Sequence, residues 1–269
     1  MSSGTVGDAG SFRRYVAIGD SFTEGVGDPD PTGTHEFRGW ADRVAEQLAA
    51  HTPGFGFANL GIRGKLLAQV DDEQIEPALQ MRPDLITVYA GANDLIRPSV
   101  DIDALMQRYD AMIGRLADSG ATVVVWTGAD TNGGGIFSAL RGRFAIYNEL
   151  VREIAEDRGT LLLDYWRMRE YRDPRMWEFD RMHMSTAGHT RMAIGVLDLL
   201  GVEHDIEALD LGPVPVVTPA EDREIKRRWR REFAYPWVVR RVRGVSTGDG
   251  LPPKYPRLTL PVMAEPTGE

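Results

Sequence analysis

The sequence predicts an α/β fold, a three-layer α/β/α sandwich around a five-stranded parallel sheet, with the flavodoxin-like strand order 2-1-3-4-5. Three observations carry this. Short apolar runs alternate with longer segments of helical spacing from about residue 12 to residue 204. Such a βαβ series requires right-handed crossovers and a parallel sheet covered on both faces. Gly, Asn, Asp and Ser gather where the apolar runs stop, at the strand ends where open α/β sheets bind ligands.

The first strand is the run Val16, Ala17, Ile18, which ends in Gly19-Asp20-Ser21. A loop rich in Gly, Pro, Asp and Thr follows, from Thr23 to about Gly39, long for a βα connection. Residues 40–50 have helical spacing, with Val44 and Leu48 on one stripe. Residues 55–62 read as the second strand, which ends in Asn59-Leu-Gly-Ile-Arg-Gly64, and residues 66–80 as a helix broken or ended near Pro77. The third strand, 84–90, runs into Gly91-Ala-Asn93-Asp94. Leu105, Tyr109, Met112, Ile113 and Leu116 mark a helix over 102–116, stopped by Gly120. The β-branched run Thr122–Trp126 predicts a central buried strand. The Gly-rich segment 128–135 lacks the Gly-Lys-Ser/Thr ending of a P-loop and the spacing of a dinucleotide fingerprint. A helix over 144–157, a fifth strand at 161–163 and a last helix over 185–200, capped by Ser185 or Thr186, complete the series.

Composition narrows the function classes. The chain has 269 residues, 42% hydrophobic and 26% charged, and a net charge of -9 that argues against nucleic acid as main partner. It has no cysteine, which excludes disulfides, thiolate nucleophiles and Cys-based zinc sites. The first ten residues lack the basic and apolar regions of a signal peptide, and no stretch is long and apolar enough to span a bilayer. The expectation is a soluble, cytoplasmic protein whose N-terminal residues form a flexible arm.

Acyl transfer by a serine needs a base, a group that orients the base, and donors for the developing oxyanion. The strand ends offer candidates for each. Ser21 follows the first strand, although a serine there also suits a helix N-cap. Asp180-Arg-Met-His183 sets a carboxylate beside an imidazole just before the last helix, so Asp180 can fix the tautomer of His183. Gly64 can bring a bare backbone N–H to a substrate, and Asn93 carries an amide donor; each alone is equally a turn residue.

These four stretches, in this order, resemble the blocks of the SGNH or GDSL hydrolases. The resemblance spans about residues 15–200 and implies the SGNH hydrolase fold and a metal- and cofactor-independent esterase or lipase acting on a small ester. It implies Ser21 as nucleophile, His183 as base, Asp180 as its partner, and Gly64 and Asn93 as oxyanion donors with the Ser21 amide. The family's usual leucine after the serine is Phe22 here. Family members include thioesterases and carbohydrate O-deacetylases, so reaction type is fixed better than substrate. Met176, Trp177 and Phe179, which closely precede Asp180, are candidate pocket residues. The rival reading from another class is a non-catalytic flavodoxin-like module for a nucleotide or phospho-ligand.

Gly244-Val-Ser246-Thr-Gly248 matches a nucleophile elbow, but no histidine follows it, so Ser246 is read as a loop residue. Residues 205–269 form a basic extension beyond the hydrolase domain of 12–204. Residues 221–243 hold nine basic and four acidic residues, with Ile225, Trp229 and Phe233 on one helical stripe. The expectation is an arm docked on the domain, its aromatics in a groove and its arginines on the acidic surface. The second reading is a weak membrane-surface or anionic contact.

Overall fold

The computed structural model describes residues 12–131 and 136–261. The expected N-terminal arm and four residues of the Gly-rich segment lie outside the described residues. The six strands are β1 (Arg14–Gly19), β2 (Gly56–Asn59), β3 (Leu85–Tyr89), β4 (Thr122–Trp126), β5 (Leu161–Leu163) and β6 (Tyr255–Thr259). The helices in chain order are α1 (Ser21–Glu24), α2 (Gly39–His51), α3 (Leu67–Gln80), α4 (Ala92–Leu95), α5 (Ile102–Ala117), α6 (Arg141–Arg158), α7 (Thr186–Leu200), α8 (Pro219–Trp229) and α9 (Tyr235–Val242).

The sheet runs β5-β4-β3-β1-β2-β6. It therefore contains the expected 2-1-3-4-5 order, all parallel, but has six strands rather than five. The extra strand, β6, comes from the C-terminal extension and pairs antiparallel with β2, with Phe57 opposite Thr259 and Asn59 opposite Tyr255. Pro256 and a mostly exposed pattern hide it in the sequence, and both are tolerated at a sheet edge.

Period-2 alternation sends successive strand residues to opposite layers. Tyr15, Ala17, Phe57, Val124 and Trp126 pack with Trp40, Val44 and Leu48 of α2 and Met192, Val196 and Leu197 of α7. Val16, Ile18, Ile86, Val88, Val123 and Val125 pack on the other face with α3, α5 and α6. Pro77 does not end α3, which continues to Gln80. Its ring and Glu73, whose carbonyl it leaves without an intrahelical partner, both lie on the exposed side, where water can satisfy the carbonyl. Ser185 caps α7, its Oγ accepting from the Gly188 amide at 3.4 Å.

The extension passes from α8 through a π-helical turn (Arg230–Ala234) into α9, then through a loop to β6. Four basic residues of α8 and of the turn after it find their ion pairs within their own segment rather than on the acidic surface of the domain. Lys226 pairs with Asp222, Arg227 with Glu224, and Arg228 and Arg231 with Glu232, because spacings of one to four residues on one helical segment bring these partners together first. Lys254 is a charged anchor on the domain. The buried Nζ lies 2.6 Å from Asp42 Oδ2 and 2.9–3.0 Å from the carbonyl oxygens of Glu24, Phe37 and Arg38. No helix among the described residues is long and apolar enough to cross a membrane.

Burial pushes the Asp42 carboxyl up to about 7 even with Lys254 pulling it down. Lys254→Met would leave this carboxyl buried and unpaired, which costs about 3–5 kcal/mol. The loss should be smaller at about pH 5 than at about pH 8, since a proton can replace the missing cation. Urea unfolding at the two pH values measures it.

Candidate active site

β1 ends at Gly19, whose backbone N–H and C=O are both held by the buried Gln74 amide, at 2.8 and 2.9 Å. The chain then turns into α1. The N-cap of α1 is Asp20, whose Oδ1 accepts from the Phe22 amide at 3.0 Å, so Ser21 is the first helical residue and its hydroxyl is not the cap. Phe22 packs into an aromatic nest, 4.2 Å from the Tyr89 ring, 5.4 Å from Trp40 and 5.9 Å from Tyr165. Trp40 Nε1 donates to the Phe22 carbonyl at 2.8 Å. The bulkier residue after the serine thus anchors the turn.

The next two loops meet at Asn93. Asn93, within α4, donates from Nδ2 to Asp20 Oδ2 at 3.0 Å and to the carbonyl of Lys65, the neighbour of Gly64, at 3.1 Å. An amide nitrogen has two hydrogens, so Nδ2 must release one of these acceptors before it can donate to a substrate oxygen. Burial pushes the Asp20 carboxyl up to about 7, against the pull of the Phe22 amide and of His183. Asp94 holds the start of α3, its Oδ2 accepting from the Leu67 amide at 2.9 Å. Gly64 has φ 81°, and a Cβ there would collide with Ser246 Oγ. Glycine is required at 64 by backbone conformation and by space alike.

The fourth stretch forms a tight turn. Asp180 Oδ1 accepts from the amides of Met182 and His183 at 2.8 and 2.9 Å, and Oδ2 meets His183 Nδ1 at 2.6 Å. The carboxylate therefore accepts a proton-bearing Nδ1, which leaves Nε2 as the basic nitrogen. Burial raises the Asp180 carboxyl, but the bond and charge of His183 and the two amides outweigh it and hold the group below the ordinary value. Arg181, inside the turn, has φ 60°, a conformation that costs a non-glycine residue about 1–2 kcal/mol. The turn reaches the Ser21 side of the sheet through Gly27, where a Cβ would collide with the Met184 carbonyl. His189 is not a competing base. It is fully buried, its Nδ1 accepts from the Trp40 amide at 3.2 Å, and Nε2 donates to the Val26 carbonyl at 3.1 Å. Burial depresses it to about 4.

The candidate pocket residues separate. Met176 is a core residue, 6% exposed, among the residues packed on α7, so its role is packing. Trp177 stacks on Tyr165 at 6.3 Å and donates from Nε1 to the Tyr171 carbonyl at 2.7 Å. Phe179 is the most exposed of the three, 38%, with the Arg228 guanidinium 4.7 Å from its ring centre.

Several residues to which the sequence assigns no part in the site shape it. Gln74 was legible only as a polar residue on an otherwise apolar helix stripe. Asn59 supports α1, donating from Nδ2 to the Thr23 carbonyl at 2.8 Å while its Oδ1 accepts from the Gly61 amide. Arg63 is held by Glu24 and Glu36. Trp229 and Ser246, both in the extension, touch the Asp180 and Gly64 turns, contacts without a local sequence signal.

Comparison with known proteins gives the family and the fold. An acetylxylan esterase of Geobacillus stearothermophilus is 25% identical over 214 residues, covering 72% of this chain and 96% of the relative. A solved structure of an acetylxylan esterase from that organism superposes with a TM-score of 0.60 at 23% identity, covering 72% of this chain and 97% of the other. An α/β hydrolase from the metagenome of Lake Arreo, Spain, gives 0.60 at 23% identity, covering 71% and 96%. The family model of the GDSL-like lipase/acylhydrolase family matches residues 17–191, well over half of the sequence, and the chain belongs to that family.

Proposed function

We propose that the protein hydrolyses carboxylic esters through an acyl-enzyme on Ser21, with His183 as base and Asp180 as its orienting partner. The observation that carries this reading is the 2.6 Å contact of His183 Nδ1 with Asp180 Oδ2, which commits Nε2 to accept a proton. Ser21 Oγ attacks the ester carbonyl while its proton passes to His183 Nε2. The oxyanion is met by the Ser21 and Gly64 amides and by Asn93 Nδ2, which exchanges its bond to Lys65 for the substrate oxygen. The C–O bond breaks, the leaving alcohol takes the proton from Nε2, and a water activated by the same nitrogen releases the acid. Asp180, held ionised, stabilises the imidazolium that forms in each half-reaction.

The likeness to an acetylxylan esterase favours carbohydrate O-deacetylation as the second reading, using the same residues on an acetylated sugar. Rates on acetylated xylo-oligosaccharides against a chain-length series of simple activated esters distinguish the two. Phe179, the exposed candidate pocket residue, is the position at which Phe179→Ala should change that profile.

Covalent labelling by a fluorophosphonate is the direct test. Label on Ser21, lost in Ser21→Ala together with about 10⁴- to 10⁶-fold in kcat, is expected. Tight nucleotide binding without labelling would support a binding module instead. Asn93→Ala should lower kcat by about 10²- to 10³-fold with a smaller effect on KM, because the donor acts in the transition state.

Asp20 offers a check that does not depend on turnover. Its folded pKa of about 7 lies above that of an unfolded aspartate, so the folded state binds the extra proton between the two values. The stability this contributes is present below about pH 4 and lost as pH rises through about 7. The wild-type advantage over Asp20→Asn in urea unfolding should shrink across that window; a constant difference would mean that the carboxyl is not held protonated.

A further inference from the structure

The extension touches two of the turns described above. Three consecutive residues of the Asp180 turn engage α8. The Arg228 guanidinium lies over the Phe179 ring, Trp229 Nε1 donates to the Asp180 carbonyl at 3.0 Å, and the Arg181 guanidinium lies 5.7 Å from the Trp229 ring centre. Phe233, one turn on, packs against Trp229 with ring centres 5.9 Å apart. This is the turn that contains the left-handed Arg181, so its geometry needs support from outside. A hydrogen bond to the Asp180 carbonyl fixes the peptide plane between Asp180 and Arg181, hence the direction in which the Asp180 side chain leaves the backbone.

The second contact is on the Gly64 turn. Ser246 Oγ donates to the Arg63 carbonyl at 3.2 Å and fills the space above the Gly64 Cα. Gly248 lies so close to the same carbonyl that no side chain would fit there. The loop is held in this shape by its own bonds, Ser246 N–H to Asp249 Oδ2 at 2.7 Å and Gly248 N–H to Ser246 Oγ at 3.1 Å. The peptide fixed at Arg63 is the one that carries the Gly64 N–H.

We infer that the C-terminal extension is a clamp on the active site, with Trp229 positioning the Asp180–His183 pair and Ser246 positioning the Gly64 oxyanion donor. The inference rests on the serine hydrolase reading and adds two positioning residues that lie outside the part of the chain matched by the family model. Neither residue touches the reacting atoms. Ser246 fixes the peptide that carries the Gly64 N–H and Trp229 the peptide from which the Asp180 side chain departs, and a small misplacement of a catalytic group costs rate more than binding.

The test uses the full chain with Trp229→Phe, which keeps the ring and removes the donor, and Ser246→Ala, with rates expressed per site labelled by fluorophosphonate so that misfolded protein does not count. Each variant should lower kcat by about three- to tenfold, the weight of one lost hydrogen bond, and leave KM within about twofold. Trp229→Phe should also move the acid limb of the kcat/KM profile, since it acts through the Asp180–His183 pair; Ser246→Ala should not, since it acts on the oxyanion donor. Variants that match the wild type per labelled site, with only a lower Tm, would overturn the clamp and leave the extension as packing. If Trp229→Phe does not fold, Ser246→Ala decides by the same readout. A wild-type enzyme that takes no label at Ser21 would overturn the serine hydrolase reading and the clamp with it, a result distinct from labelled variants of undiminished rate.

Discussion

The pairing of β1 between β2 and β3 is the constraint from which the site follows. A strand hydrogen-bonded on both sides delivers its end into the middle of the sheet's mouth, so the residues after Gly19 emerge between the loops that follow β2 and β3. Those loops carry Gly64 and Asn93. The order 2-1-3 also means that the connections leaving β1 and β3 run in opposite directions, which opens a crevice at that point. Ser21 opens α1 at this point, and Gly27, in the loop after α1, packs on Met184 beside the Asp180–His183 turn.

Topology brings the loops together within a few ångströms, and buried polar contacts set them to hydrogen-bonding distance. Gln74 takes both backbone groups of Gly19, Asp20 takes the Phe22 amide and the Asn93 side chain, and Asn59 takes the Thr23 carbonyl. Each is a polar group without access to bulk water, so leaving a partner unmatched costs about 1–3 kcal/mol and the loops settle where the pairs close. The same logic raises the Asp20 carboxyl. It is placed for two donors rather than for a cation, and burial without a counter-charge favours its proton.

The features visible in the sequence are those generated by neighbours along the chain. Thr122–Trp126 is legible as a strand because β-branching on both faces suits a buried parallel strand. The Asp180–His183 pair is legible because a turn of three residues brings its members together. Leu60 and Ile62 misled the boundary of β2, expected to reach residue 62 but ending at Asn59. Both are buried, Leu60 in the layer of α3, α5 and α6, and apolar character reports burial whether or not the chain is still in the sheet. β6 was invisible for the converse reason: an edge strand with one buried residue and a proline has no period to detect. Ser246 and Trp229 meet their partners 183 and 49 residues away, and no local pattern encodes such a meeting.

The extension shows how composition can point to the wrong carriers of an interaction. Its most visible property is a run of arginines and lysines, yet those with ion pairs in α8 and the following turn are spent on exposed acids of the same segment, pairs worth about 0–1 kcal/mol each. They balance one another and leave little field with which to hold a distant surface. The contacts that join the segment to the hydrolase domain include an indole N–H, a serine hydroxyl, an antiparallel strand and the buried Lys254. Lys254 differs from the arginines in being desolvated. It meets three carbonyl oxygens and a carboxylate in a site closed to water, and there one charge fixes the loop after Ser21 more firmly than several exposed pairs can. Charge density in the sequence marks where the extension is solvated; the isolated polar and aromatic residues among those charges mark where it is attached.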